Sequence, residues 1–327
     1  MDLNFGANVT NCGIIFDANG NYSYQYPTNS NLWIHGNNWN GMVIFPNGLS
    51  YGRISNSGKF NKRTVLPKAM TNMGSIFTNC FYLNQNIQIP NGVTKTTGMF
   101  RNCRNLNQNI QIPNGVTKIE EMFDGCRNLN QNIRIPNNVT NTAYMFNYCT
   151  NLNQNIQIPN NVTNTAYMFN YCANLNQNIQ IPNNVTNATY MFSTCQNLNQ
   201  NIQIPNSVTN VAGLFFGCPN LNQNIRIPNN TTNMWFCFRN SNVISDITIE
   251  SGIANNKAVG FISPNNKHAR NIWTDSITAA NLITTNIIHP TNASTAISSQ
   301  ILPTWETITN GYYNSQYNVY IYTNAFN

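Results

Sequence analysis

The residues with most chemistry to offer are nine cysteines, and seven of them keep one spacing. A constant 23-residue interval separates Cys80, Cys103, Cys126, Cys149, Cys172, Cys195 and Cys218. Thiols can ligate a metal, pair as disulfides or act as nucleophiles, and each role needs partners. Metal sites draw Cys and His together at short spacings, and no such spacing occurs. Stacked units would hold these cysteines near enough to pair, but parallel side chains pointing the same way fit the disulfide dihedral poorly. Buried free Cys packs as a small hydrophobe, so the series predicts a column of core thiols. Cys237 supports packing: it falls four residues before the next expected position, Ser241, in the slot that Met168 holds in an earlier copy. Cys12 lies outside the series.

Catalysis needs titratable groups that converge, and the chain has nine carboxylates and three histidines. Glu120, Glu121 and Asp124 fall together in a single copy of the unit, where they are read as surface decoration. Asp246 and Glu250 have no histidine near them in sequence. His35, His268 and His289 are isolated from one another. There is no glycine-rich phosphate loop and no nucleophile motif. The expectation is a protein that is not an enzyme, with no catalytic residue, no metal and no cofactor.

The element that positions the cysteines is a repeat running from Phe60 to Ile249 in about eight copies. Leu83, Leu106, Leu129, Leu152, Leu175, Leu198 and Leu221 share the 23-residue period. An unbroken period of this length is the mark of a solenoid. Within one copy Leu152, Ile156, Ile158, Val162, Met168, Phe169 and Cys172 are apolar, and almost everything between them is Asn, Gln, Thr or Ser. One copy buries too little to fold alone, so the copies must stack. The predicted core includes Cys103, Cys126, Cys149, Cys172 and Cys195 with Leu129, Leu152 and Leu175.

Ile156–Gln157–Ile158 alternates apolar and polar, which predicts a short strand with Gln157 outward, ended by Pro159. Thr165–Ala166–Tyr167–Met168–Phe169 predicts one helical turn. Parallel strands stacked at about 4.8 Å would give a sheet with an outer row Gln88, Gln111, Arg134, Gln157, Gln180, Gln203 and Arg226. That polar, mildly basic row is the candidate ligand-binding ladder. The asparagine columns are expected to form stacked amide ladders. Sequons such as Asn138–Val139–Thr140 read as turn residues beside a buried valine.

The pattern C-x-N-L-x-x-x-I-x-I-P-x-x-V-T, with an aromatic three residues before the next Cys, resembles the BspA-like (Treponema-type) leucine-rich repeat. The Met-Phe pair before the cysteine resembles the related Mycoplasma-type surface-protein repeat. The resemblance covers a little over half the chain. It implies a mainly β leucine-rich-repeat solenoid in a family used for adhesion and surface recognition. The matching positions are core positions, so no catalytic residue is carried over. Asn-Gln-Asn replaces the family's Thr/Ser-rich linker, so ligand identity does not transfer.

Asparagine supplies about a fifth of the 327 residues and only 8% are charged. Such low charge with many Ile, Phe, Tyr and Val residues is not a disorder signature. A net charge of +7 without a basic run argues against nucleic acid as partner. No window approaches the ~18 apolar residues of a membrane span, and Met1–Asp2–Leu3–Asn4 does not open like a secretory signal. Surface recognition without an export address suggests a virion component: a bacteriophage fibre or decoration protein held by other virion structural proteins. It would contact a glycan or protein of the host cell surface. The other readings are a cell-surface adhesin of a bacterium or protist, and an architectural spacer whose ladder faces a neighbour or another copy in a homo-oligomer. Three domains are expected: a β-rich cap or docking domain at 1–57, the solenoid at 58–250, and a β-rich domain at 251–327 with a helix beginning near Ile272.

Overall fold

A computed structural model describes residues 59–66 and 68–241, the strand Ile247–Ile249, and the backbone of the other strands named below. Asp246, Glu250, His268 and His289 lie outside the described residues. The chain divides into two compact units, Met1–Val162 and Thr163–Asn327.

The first unit opens with short strands: β1 (Leu3–Asn4), β2 (Cys12–Phe16), β3 (Tyr22–Gln25), β4 (Leu32–His35), β5 (Val43–Ile44), β6 (Gly52–Ser55) and β7 (Thr64–Val65). β2, β4 and β6 run parallel, with Ile14 opposite Ile34 and Ile34 opposite Ile54. β3 adds antiparallel to β2. β1, β5 and β7 form a second parallel sheet. These strands sit where the sequence alternates, but their parallel pairing at 20-residue steps is a spacing of its own, distinct from the 23 that follows.

From Phe60 onward identical side chains stand in rows. Phe77, Phe100, Phe123 and Phe146 are fully buried, their rings stacked 5.6–5.7 Å apart and within 9° of parallel. Cys103, Leu106, Ile110 and Val116 are fully buried alongside Phe100, and the same positions repeat in the next copies. Offset aromatic stacking at this separation adds to the gain from area burial.

Within the first unit, backbone bonding ties one repeat to the next at a fixed offset. In the stretch before each cysteine, alternate N–H groups are satisfied by alternate means. The N–H groups of Thr96, Gly98, Phe100 and Asn102 donate to the carbonyls of Lys118, Glu120, Met122 and Asp124 in the following repeat, at 2.6–2.9 Å. Those of Met99, Arg101 and Cys103 donate within the repeat, to Thr96, Gly98 and Phe100. Every one of these donors is thereby paired, as a dry interior requires.

Two local expectations are corrected by this scheme. The expected helical turn is instead a pair of successive tight turns. The expected strand at Ile-x-Ile survives at β7 and, at the end of the array, at β8 (Ile225–Ile227) and β9 (Ile247–Ile249). Elsewhere the first isoleucine spends its N–H locally: Ile110 donates to the Gln108 carbonyl at 2.9 Å and Ile156 to Gln154 at 3.0 Å. With proline after the second isoleucine, too few donors remain for a ladder. Inter-repeat pairing runs instead through the residues before the cysteine and through bonds just after it, such as that from the Asn105 N–H to the Phe81 carbonyl.

The second unit repeats the pattern. Tyr190, Phe192 and Thr194 donate forward to Ala212, Leu214 and Phe216, and Phe169, Phe192, Phe215 and Phe238 stack at 5.6–6.0 Å. Its array then passes into a six-stranded sheet in which β8 and β9 are joined by β10 (Arg270–Thr274), β11 (Glu306–Ile308), β12 (Gly311–Asn314) and β13 (Val319–Tyr322). The order is β11-β12-β13-β10-β9-β8, parallel from β8 to β13 and antiparallel thereafter. The residues from Arg270 to Thr274 are therefore a strand, where a helix was expected to begin at Ile272. The rest of that expected helix lies outside the described residues.

The turns closed by the Met99 and Cys103 N–H groups, and their counterparts in other repeats, place their third residue in the left-handed region. Gly98, Gly125, Gly213 and Gly217 do so cheaply, but so do Tyr144, Tyr148, Tyr167, Tyr171 and Tyr190, with φ of 50–59°. Left-handed backbone costs a residue with a Cβ about 1–2 kcal/mol, which stacking must offset. At Gly213 (φ +60) the vacant Cβ position has been taken: an added methyl would meet the Tyr190 ring at 2.3 Å. At Gly217 (φ +67) it would meet nothing nearer than 3.4 Å. Gly213→Ala is expected to lower the thermal midpoint clearly more than Gly217→Ala, since only the first adds a clash to the φ cost. Equal losses would mean that the tyrosine ring moves aside freely.

Candidate recognition surface

The cysteine column holds no reactive site. Cys103, Cys126, Cys149, Cys172 and Cys195 are fully buried, with Leu129, Leu152 and Leu175, and none of these thiols is in a disulfide. The thiols of Cys103, Cys126 and Cys149 donate to the carbonyls of Phe77, Phe100 and Phe123 at 3.1–3.2 Å. Burial pushes their acidity down: the pKa values of Cys103, Cys126 and Cys195 rise well above the usual range, and that of Cys218 rises to about 12. Low-pKa, exposed thiolates make nucleophiles, and these are the reverse. Ser241 occupies the cysteine slot of its repeat and does the same work, its Oγ donating to the Phe215 carbonyl and accepting from the Cys218 N–H at 2.9 Å.

Glu120, Glu121 and Asp124 form one charged spot with Arg101, which pairs with Glu121 at 3.1 Å and Asp124 at 3.2 Å. Desolvation raises the Asp124 pKa, with the Asn147 amide and Arg101 pulling it back. Neighbouring amides complete the spot, Asn147 on Asp124 and Asn141 on Glu120. Among the described residues no group of three or more His, Cys, Asp or Glu could hold a metal.

The asparagine and glutamine of the Leu-Asn-Gln-Asn motif are structural. Asn84 Oδ1 accepts from the Asn107 N–H at 2.9 Å and the Gln108 amide at 3.0 Å, and Asn107 Oδ1 does the same for Asn130 and Gln131. Asn176 serves Asn199 and Gln200 identically in the second unit. These are the amide ladders expected from the columns. Each joins one repeat to the next, and they explain why Asn-Gln recurs from copy to copy.

The candidate ladder sits apart from this scaffolding. In the first unit Gln88, Gln111, Arg134 and Gln157 are exposed, each between two buried isoleucines; in the second unit the same holds for Gln180, Gln203 and Arg226. Gln88, Gln111, Gln180 and Gln203 donate to the asparagine two residues earlier, at 2.7–3.3 Å. Arg134 and Arg226 reach back one repeat to Asn114 and Asn206, at 3.0 and 2.9 Å. A groove of about 380 Å³ lies between Arg134 and Gln157, flanked by Asn132 and Asn137 and floored by isoleucine and Pro159. Ligand sites begin at roughly 300 Å³, so such a groove fits one unit of an extended ligand.

A second groove of about 350 Å³ is lined by Arg63, Lys68, Gln85, Asn86 and Gln88. Sequence reasoning chose only Gln88 from this set, because the first repeat carries Val65 where the others have Gln. Its cations were detectable by phase: Arg63 lies one full repeat before Asn86, and Lys68 the same distance before Asn91. Among the described residues no helix is long and apolar enough to cross a membrane.

Residues 71–199 match the BspA-type leucine-rich repeat region in six copies, and residues 159–249 match a Mycoplasma family of unknown function. No curated protein matches the chain. Among solved structures it is similar to a leucine-rich cell surface protein of Faecalibacterium prausnitzii, with 17% identity and a TM-score of 0.44, over 85% of this chain and 96% of that one. It is also similar to a leucine-rich repeat protein of Bacteroides ovatus, with 19% identity and a TM-score of 0.38, over 72% of this chain and 64% of that one. With its stacked Leu, Ile, Phe and Cys rows, the stretch 71–199 is a BspA-type leucine-rich repeat region, and the array continues into the Mycoplasma-type repeat over residues 159–249.

Proposed function

We propose that this protein is a non-enzymatic recognition protein of the cell surface, whose repeats wind as a leucine-rich-repeat solenoid and hold a glycan or protein of another cell against the Gln/Arg ladder. The observation that carries it is the ladder itself: in each copy from Gln88 to Arg226 the one residue between two buried isoleucines is exposed, polar and amide- or guanidinium-bearing. Paired donors and acceptors at a fixed repeat suit a ligand rich in hydroxyl groups. The cell surface is preferred over a phage particle because the family is one of surface recognition, whereas the virion reading rests on the first residues of the chain alone.

Replacing Gln157 and Gln180 together with alanine should weaken attachment of the protein to target cells and leave its unfolding curve unchanged. Undiminished attachment would sink this face as the contact. Surface proteolysis of intact cells, compared with purified particles, distinguishes the two settings.

A further inference from the structure

We propose that the ligand is an anionic polysaccharide, and that its acidic groups are held in the groove of the first repeats by Arg63 and Lys68. This rests on the recognition reading above and names the ligand class.

Charge is spread unevenly along the array. Residues 59–118 contain eight lysines and arginines and no carboxylate, whereas residues 163–241 contain only Arg226 and Arg239, also without a carboxylate. The first repeats alone therefore exceed the net +7 of the whole chain. Among the described residues the ion pairs are those of Arg101 with Glu121 and Asp124, and no described carboxylate pairs with Arg63 or Lys68. Both are exposed. An accumulation of such cations raises the local concentration of anions and steers them in.

The groove adds chemistry to the field. Arg63 presents a planar fork suited to a carboxylate or sulfate, with Lys68 as a second point charge. Asn86 and Gln88 on the facing repeat supply amides that donate to and accept from hydroxyls. An acidic sugar offers both kinds of group at once.

Nucleic acid is the other polyanion, and the groove disfavours it. Among the described residues that line it none is aromatic, so it has no platform for stacking bases. The ladder continues with neutral Gln88 and Gln111 before the next cation, Arg134. A phosphate backbone, charged at every nucleotide, calls for closer cations. A polysaccharide with acid groups on some of its units matches amides interrupted by cations.

The test uses the full chain and immobilised alginate, chondroitin sulfate, dextran and single-stranded DNA. Alginate or chondroitin sulfate should retain the protein, more weakly as salt rises, and dextran should retain it less. Arg63→Gln with Lys68→Gln should reduce retention by about tenfold or more, the scale of losing charge-assisted bonds. Lys59→Gln with Lys62→Gln removes the same charge from exposed positions that do not line the groove, and should largely keep retention. Equal loss in both pairs would overturn the groove as a site, leaving only diffuse charge. Equal retention on dextran, stronger retention on DNA, or no retention on either acidic polymer would overturn the ligand class. Target-cell attachment by the Gln157→Ala, Gln180→Ala variant is scored separately, so failure of the recognition reading is read independently.

Discussion

Phe123→Ala is expected to destabilise the protein by about 3–5 kcal/mol, the range for emptying a buried phenylalanine site. Phe123 is fully buried and its ring stacks on both Phe100 and Phe146, at 5.6 and 5.7 Å. Truncation removes two ring contacts and leaves a void bounded by backbone that is bonded to both adjacent repeats. That backbone cannot close in without breaking the forward N–H bonds of Phe100 and Phe123, so little of the cavity collapses. Since repeats are stabilised by their neighbours, the damage should be centred there. Amide exchange should accelerate first in the three repeats around position 123. Denaturant unfolding of the variant, with Phe123→Leu as a milder companion, measures the size of the effect. A loss below about 1 kcal/mol would show that the column is not close-packed.

The second large effect is alkaline unfolding. Burial raises the thiol pKa of Cys103, Cys126, Cys195, Cys218 and Cys237 above the ordinary 9.0, in Cys218 to about 12. Above pH 9 the unfolded chain releases these protons while the folded chain keeps them, so the unfolded state gains. The stability these thiols contribute is whole below pH 9 and drains away as pH climbs towards the folded values. Each thiol steepens the fall by about 1.4 kcal/mol per pH unit within that window, and several acting together amount to several kcal/mol per unit. Denaturation midpoints should be flat from neutral pH to about 9 and drop steeply beyond it. Cys126→Ser should flatten that drop by one thiol's share, because Ser241 already shows that a hydroxyl can fill the slot and donate to the preceding phenylalanine carbonyl. An unchanged slope in the variant would remove the thiols as its cause.

The period was plain in the chain because identical side chains must stack, and stacking sets the spacing of Leu, Phe and Cys alike. The same logic made the asparagine ladders readable. Local backbone shape was not, because the forward N–H groups find their acceptors in the following repeat, as Phe100 finds Met122. Alternation around Gln157 suggested a strand, yet Ile156 turns its N–H to Gln154. Left-handed tyrosines run against intrinsic preference, so Tyr144 and Tyr167 could only be assigned by analogy with Gly98 and Gly213. In the first residues the 20-residue step rests on one apolar residue per unit, Ile14, Ile34 and Ile54, too thin a signal to separate from chance. Arg63 and Lys68 do not stand at the ladder's phase, which falls on Val65 in the first repeat, so the ladder alone does not point to them.

Between Thr96 and Cys103, and at the matching positions of other repeats, the N–H groups that reach another repeat all point onward, which makes the array within each unit a polar polymer of interchangeable links. Adding or losing a whole 23-residue link recreates every junction, whereas a single-residue insertion between Thr96 and Cys103 would swap the inward and onward donors along the rest of that turn. Such a gene can lengthen or shorten its product by recombination between copies, and reach can change without any new fold being invented.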